Sequence, residues 1–291
     1  MEFKLKNSFK IFFELIKIRI TSFVALTTAF GYIALDGKFD LTMLYAVAGI
    51  LFLAFGSASL NHFQERKFDS LMERTKNRPL PSHQISEKAV LLLSVILIFA
   101  GSIILGYLVN SLALGLALLN LFWYNVVYTL LKRKTAFAII PGSLVGAIPP
   151  AVGWVAAGGY ILDPQIIIIS FFFFIWQIPH FWLLLLVFDD DYRKAGFPTL
   201  TTLFEKYQLS RITFMWILAT AVTGLLIPLY GLVTEFWINL CLFFCSVWLT
   251  WLAFRLLTER EGNNVFRFTF RYINFFVLAV VFLISIDKLA H

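Results

Sequence analysis

Nine apolar runs divide the chain, near residues 20–35, 41–61, 89–109, 111–131, 137–158, 164–188, 212–234, 236–254 and 268–286. Within each run the apolar positions are continuous rather than alternating, which predicts helices and not barrel strands. Each run is near the roughly 20 residues that a helix needs to cross about 30 Å of hydrocarbon. The first is short, so Arg19 at its edge is expected to snorkel. The third and fourth meet in a tight turn around Asn110 and Ser111. Polar positions gather between the runs. The pattern predicts an all-α polytopic membrane protein of about nine transmembrane helices.

The polar stretch after the second run carries the densest chemistry. It reads NHFQERKFDSLMERTKNRPLP from Asn61 to Pro81. Asn61, Glu65 and Asp69 are spaced i, i+4, i+8, so a continuing helix stacks them on one face over about two turns. Arg74, Lys76 and Arg78 follow before Pro79 and Pro81 stop any helix. Oxygen ligands so spaced suit a hard cation such as Mg²⁺, shared with substrate phosphates. The cationic side chains beside them suit the phosphates.

Composition agrees with the membrane reading: 60% of the 291 residues are hydrophobic and 14% charged. The net charge of +7 resembles that of a nucleic-acid binder until the charges are located. Of 24 Lys and Arg residues, the loop alternation places 22 on one side and only Lys38 and Lys288 on the other. That bias predicts a cytoplasmic N-terminus and an outside C-terminus in a bacterial-type inner membrane, with the lipid bilayer and no nucleic acid as surroundings. Residues 1–19 mix Lys and Arg with Phe and Ile, as a basic interfacial segment does. The whole chain, 1–291, reads as one transmembrane domain whose long cytoplasmic loops lie near 62–88 and 189–211. Cys241 and Cys245 share one apolar run without a CxxC pattern, and read as small packing residues.

A second acidic site follows the sixth run. Asp189, Asp190 and Asp191 are consecutive, so a helix fans them apart and at most two aim at one point. A lone triplet with Lys194 following is also what a solvated helix end looks like. Here it shares a membrane face with the first motif and with Lys132 and Arg133, and three such features around one cavity favour a metal-diphosphate site. His180 lies inside an apolar run, where an ionisable group is expensive and often functional. His62 sits at a boundary, where a polar residue is unremarkable. Pro179, and Pro149-Pro150 among several glycines, predict kinked or broken helices. No GxGxxG, Walker, HExxH or Ser-His-Asp pattern is present, which leaves P-loop hydrolysis without support.

Taken together, six stretches resemble the UbiA superfamily of intramembrane prenyltransferases, and most of all its haem-farnesylating branch. They are N61xxxE65xxxD69, LMERTKNRPLP from Leu71, YTLLKRKT from Tyr128, GAIPPAVGW from Gly146, WQIPHFW from Trp176 and DDYRKAGFPTL from Asp190. The resemblance implies nine helices around a central cavity. It implies a Mg²⁺-dependent transfer of farnesyl from farnesyl diphosphate to a vinyl group of haem b, giving haem o. Asn61, Glu65, Asp69, Asp190 and Asp191 would hold metal. Arg74, Arg78, Lys132, Arg133 and Lys194 would hold diphosphate, and His180 and His62 would contact haem. Haem A synthase or terminal-oxidase assembly factors are the implied partners. The chain departs from the branch at Lys67, where an aspartate is common, and lacks a spaced DxxxD in its second motif. Which of Asp189, Asp190 and Asp191 meets metal therefore stays open. Two other readings remain: a prenyltransferase of an aromatic or quinone precursor, and a transporter, whose broken helices and buried charges are similar.

Overall fold

The computed structural model describes residues 2–258 and 263–290, with side chains from Ser8 onward except that of Asn263. Arg260, one of the 24 basic residues counted above, and the C-terminal His291 lie outside the described residues. A surface helix, α1 (Glu2–Leu15), comes first. Among the described residues nine helices are long and apolar enough to span a membrane. They are α2 (Ile18–Asp36), α3 (Leu41–Asp69), α4 (Glu87–Leu108), α5 (Ser111–Leu131), α6 (Ala136–Ala156), α7 (Pro164–Val187), α9 (Lys206–Tyr230), α10 (Phe236–Thr258) and α11 (Asn264–Leu289). A short helix, α8 (Asp189–Lys194), lies between α7 and α9. Every run foreseen from hydropathy is a helix.

Consecutive spans pack side by side, and α11 returns to α2, so the helices close a ring. Inside it, α2 crosses α6 and α11 leans on α7. The α2–α6 crossing depends on missing side chains. A Cβ on Gly31 would stand 1.9 Å from the Pro150 carbonyl oxygen, and one on Gly153 would stand 1.9 Å from that of Thr28. Close backbone approach through small residues is how membrane helices associate when lipid is as apolar as the side chains. The apolar centre is carried by α7, where Phe172 and Phe173 are completely buried.

Three local features shape the site. Helix α3 runs eight residues beyond its apolar stretch, to Asp69, because nothing in Asn61–Asp69 breaks it. The expected 62–88 loop is therefore confined to 70–86. Helix α5 contains a π-helical segment, Trp123–Tyr128, whose wider turn re-aims the residues that follow. The break in α6 falls at Ser143, while the helix continues through Pro149 and Pro150; α7 likewise continues through Pro179.

Candidate functional site

The polar extension of α3 stacks Asn61, Glu65 and Asp69 as the i, i+4, i+8 spacing requires. All three are buried, at 1%, 6% and 1% exposure. Burying oxygen-rich groups is costly unless each is partnered, and each has a cation. The Lys17 ammonium donates to Asn61 Oδ1 at 2.6 Å. Lys132 pairs with Glu65. Arg78 Nη1 donates to both Asp69 oxygens at 2.9 Å. The three cations come from the α1–α2 corner, the end of α5 and the 70–86 loop.

Each is positioned by a local device. Asn61 Nδ2 donates to the Thr129 hydroxyl at 3.2 Å, which fixes Oδ1 toward Lys17. The π segment places Asn125 against α3, where Asn125 Nδ2 donates to Gln64 Oε1 at 3.1 Å and Ser57 Oγ donates to Asn125 Oδ1 at 2.5 Å. It also stacks Tyr124 on Tyr128, 6.0 Å between centroids, and Tyr128 faces Phe181. Lys132 Nζ lies 5.6 Å from the ring centroids of both Tyr128 and Phe197, so an aromatic wall adjoins the ion pairs. The Thr75 hydroxyl donates to the Asp69 carbonyl at 2.9 Å and seals the end of α3.

In the sequence Lys17 is one charge of the basic segment 1–19. Its position 44 residues from Asn61 gives no local signal of their contact. Burial, joined by the charges of Arg78 and Lys132, pushes its ammonium down to about 7, against the pull of Glu65 and Asp69.

The second motif reaches the first through the 70–86 loop. Asp191 Oδ2 accepts from the Arg74 backbone N–H at 3.2 Å, and Met72 packs with Ala195 and Phe197. Asp189 accepts from the Thr201 hydroxyl at 2.6 Å. Asp190 and Lys194 are exposed. The Arg74 guanidinium rests over the Phe188 ring at 4.9 Å. Arg133, foreseen as a phosphate ligand, donates instead to the Gln64 carbonyl at 2.9 Å and lies over Phe68. His62 is bonded through Nε2 to the Glu14 carbonyl at 3.2 Å, so it ties α1 to α3. Among the described residues no three His, Cys, Asp or Glu side chains converge as a preformed metal group. The donors themselves, an amide oxygen and two carboxylates with the acidic triplet nearby, suit a hard divalent ion.

His180 sits apart on α7, half-buried, with Trp176, Phe181 and Phe270 rings at 4.8, 5.2 and 4.9 Å. Its Nδ1 lies 2.7 Å from Asn274 Oδ1. Asn274 Nδ2 donates to the Phe270 carbonyl at 2.6 Å, so Oδ1 is the acceptor. His180 Nδ1 therefore carries the proton, and Nε2 keeps its lone pair.

Among the described residues, nine membrane-length helices enclose buried polar side chains and their cationic partners at one end, an arrangement suited to an anionic, metal-bound substrate. Residues 23–279 match the UbiA prenyltransferase family, and the chain belongs to that family. It is 31% identical over 278 residues to a protoheme IX farnesyltransferase of Nitratidesulfovibrio vulgaris strain DP4, covering 95% of this chain and 94% of the relative. It is 42% identical over 193 residues to a protein of the same name from Geobacter sulfurreducens, covering 66% and 70%. The fold is shared with the solved structure of a digeranylgeranylglyceryl phosphate synthase, at TM-score 0.79 and 16% identity over 98% and 100% of the two chains. It is also shared with a UbiA homologue of Archaeoglobus fulgidus bound to GPP and Mg²⁺, at TM-score 0.64 and 14% identity over 94% and 99%.

Proposed function

We propose that this protein transfers the farnesyl group of farnesyl diphosphate to a vinyl group of haem b, giving haem o. The observation that carries the proposal is the stack Asn61, Glu65, Asp69, each oxygen ligand paired with a cation. Such a site can exchange its internal ion pairs for a metal and a diphosphate without leaving a buried charge bare. The near full-length likeness to protoheme IX farnesyltransferases supports haem b as acceptor, over an aromatic or quinone precursor or a transported solute.

Asn61, Glu65 and Asp69, with Asp190 and Asp191, would hold Mg²⁺. When bound, the ion neutralises the diphosphate leaving group. Arg78, Lys132, Arg74 and Lys194 would grip the phosphate oxygens. The farnesyl C1–O bond breaks and diphosphate departs with the electron pair. Tyr124, Tyr128 and Phe181 present ring faces that shelter the allylic cation left behind. The vinyl carbon of haem b attacks C1, water adds to the carbon made cationic, and a proton leaves to solvent. Haem b, farnesyl diphosphate and water thus give haem o and diphosphate. His180, with Nδ1–H held by Asn274, would offer Nε2 to the haem iron, while Trp176 and Phe270 flank the ring. The site end faces the cytoplasm of a bacterial inner membrane, as the charge bias supports. Haem A synthase, which would take the product, and terminal-oxidase assembly factors are the proposed partners.

The test is mass analysis of haem extracted from cells with and without the protein. A farnesylated haem that depends on it is expected. Haem b unchanged beside a prenylated aromatic would replace haem as the acceptor.

A further inference from the structure

We propose that Lys17 is the resting occupant of the metal side of the first acidic motif, and that it moves from Asn61 onto the substrate diphosphate when a divalent cation enters. The inference rests on the prenyl-transfer reading above and adds a residue that the motifs do not contain.

Three observations converge on Lys17. Its ammonium is 2.6 Å from Asn61 Oδ1 and 3.5 Å from the Tyr124 hydroxyl, so the half-buried side chain turns in toward the stack. Its backbone is left-handed, φ 49° and ψ 52°, and only one other non-glycine residue among those described, His83, has positive φ. Such a conformation is costly for a residue with a Cβ and persists when its surroundings impose it. Those surroundings are two consecutive residues of α3: His62 holds the Glu14 carbonyl, and Asn61 holds the Lys17 side chain. Leu15, Leu80 and Val90 pack beneath the same corner. The corner is thus docked on the motif, and its strain sets where the ammonium points.

An ammonium at hydrogen-bond distance from Asn61 Oδ1 stands where a divalent ion bound to that oxygen would stand. Two positive charges cannot share that place in a poorly solvated pocket. Asn61 cannot turn its oxygen elsewhere, because its Nδ2 is held by Thr129. The four-carbon lysine stem can swing, and a diphosphate beside the metal is the anion that would receive it. Arg78 and Lys132 face the stack from other elements and are similarly freed from Asp69 and Glu65. Lys17 differs in releasing a neutral ligand, so it leaves no bare carboxylate behind.

The experiment uses the full chain in lipid nanodiscs. Mn²⁺ binding is measured by electron paramagnetic resonance without diphosphate. Binding of a non-cleavable farnesyl thiolodiphosphate is measured with Mn²⁺ present. Lys17→Met should bind Mn²⁺ on the order of tenfold more tightly and the thiolodiphosphate on the order of tenfold more weakly, the scale of one charge-assisted hydrogen bond. The opposite signs are the signature. Lys17→Asn, which suits the left-handed backbone, should reproduce them if Lys17→Met folds poorly. Lys17→Arg, which keeps the charge, should recover most of the diphosphate affinity. Lys10→Met on the exposed face of α1 should change neither. Weakening of both ligands, or no change in either, would show a structural lysine and overturn the proposal. Wild-type protein that binds neither ligand would instead overturn the prenyl-transfer reading itself.

Discussion

The pair between Arg78 and Asp69 allows a quantitative test of how the site is held together. Asp69 is 1% exposed and Arg78 19% exposed at the side chain, and one guanidinium nitrogen spans both carboxylate oxygens at 2.9 Å. Arg78→Met leaves the Asp69 charge buried with no donor from the loop. Removing one partner of a buried pair typically costs about 3–5 kcal/mol, and the partial exposure of Arg78 places this case near the lower end. Asp69→Asn keeps an acceptor and removes the charge, so a smaller loss, about 1–3 kcal/mol, is expected. The double variant leaves neither charge, and should be more stable than the sum of the singles predicts by about 1–3 kcal/mol. The assay is reversible unfolding in mixed micelles titrated with a denaturing detergent. Singles that add within about 0.5 kcal/mol would show two independent groups and refute the paired site. A kinetic companion separates phosphate binding from topology. Arg78→Lys keeps the charge but loses the planar fork, so farnesyl diphosphate use should fall on the order of tenfold. Arg271→Lys, exposed on α11, should be near neutral.

Reporter fusions at Asn77 and Asp163 should report opposite sides of the membrane; the same side for both would remove the nine-span topology. Asp69→Ala and Asp190→Ala should each abolish turnover in folded protein, and excess EDTA should do the same to the wild type; full activity under chelation would remove the metal. Gly31→Ala and Gly153→Ala must push α2 and α6 apart, because each new Cβ meets a backbone oxygen at 1.9 Å, so losses of about 1–3 kcal/mol or more are expected in thermal unfolding. Gly115→Ala, with nothing within 4 Å of its Cβ position, is the control, and equal melting of all three would disprove the close crossing. Asn274→Ala removes the acceptor that orients His180, so haem affinity followed by Soret absorbance should fall by roughly 10- to 100-fold, as when an outer-shell partner of a metal ligand is lost. An unchanged titration would move haem away from His180.

The sequence by itself determined the number of spans, the side on which basic residues gather and the shared face of Asn61, Glu65 and Asp69. Those properties are local: hydropathy over about twenty residues decides insertion, and helical periodicity decides which residues stack. Continuation of α3 to Asp69 was legible for the same reason, since no breaker precedes Pro79. The sequence could not say which cation meets which oxygen. Lys17, Lys132 and Arg78 all belong to the same basic set of loops, so the charge bias groups them without distinguishing them. Tertiary packing made the choice. It docked the α1–α2 corner on Asn61 and His62, and widened α5 by a π segment that turns Tyr124 and Asn125 toward α3. It drew Arg133 to the Gln64 carbonyl, and it set Gly31 against Pro150. The partners in these contacts lie far apart in the chain or depend on a local change in helical pitch. They form only when the spans close their ring, because a buried polar group takes whichever partner the surrounding helices bring within hydrogen-bond reach.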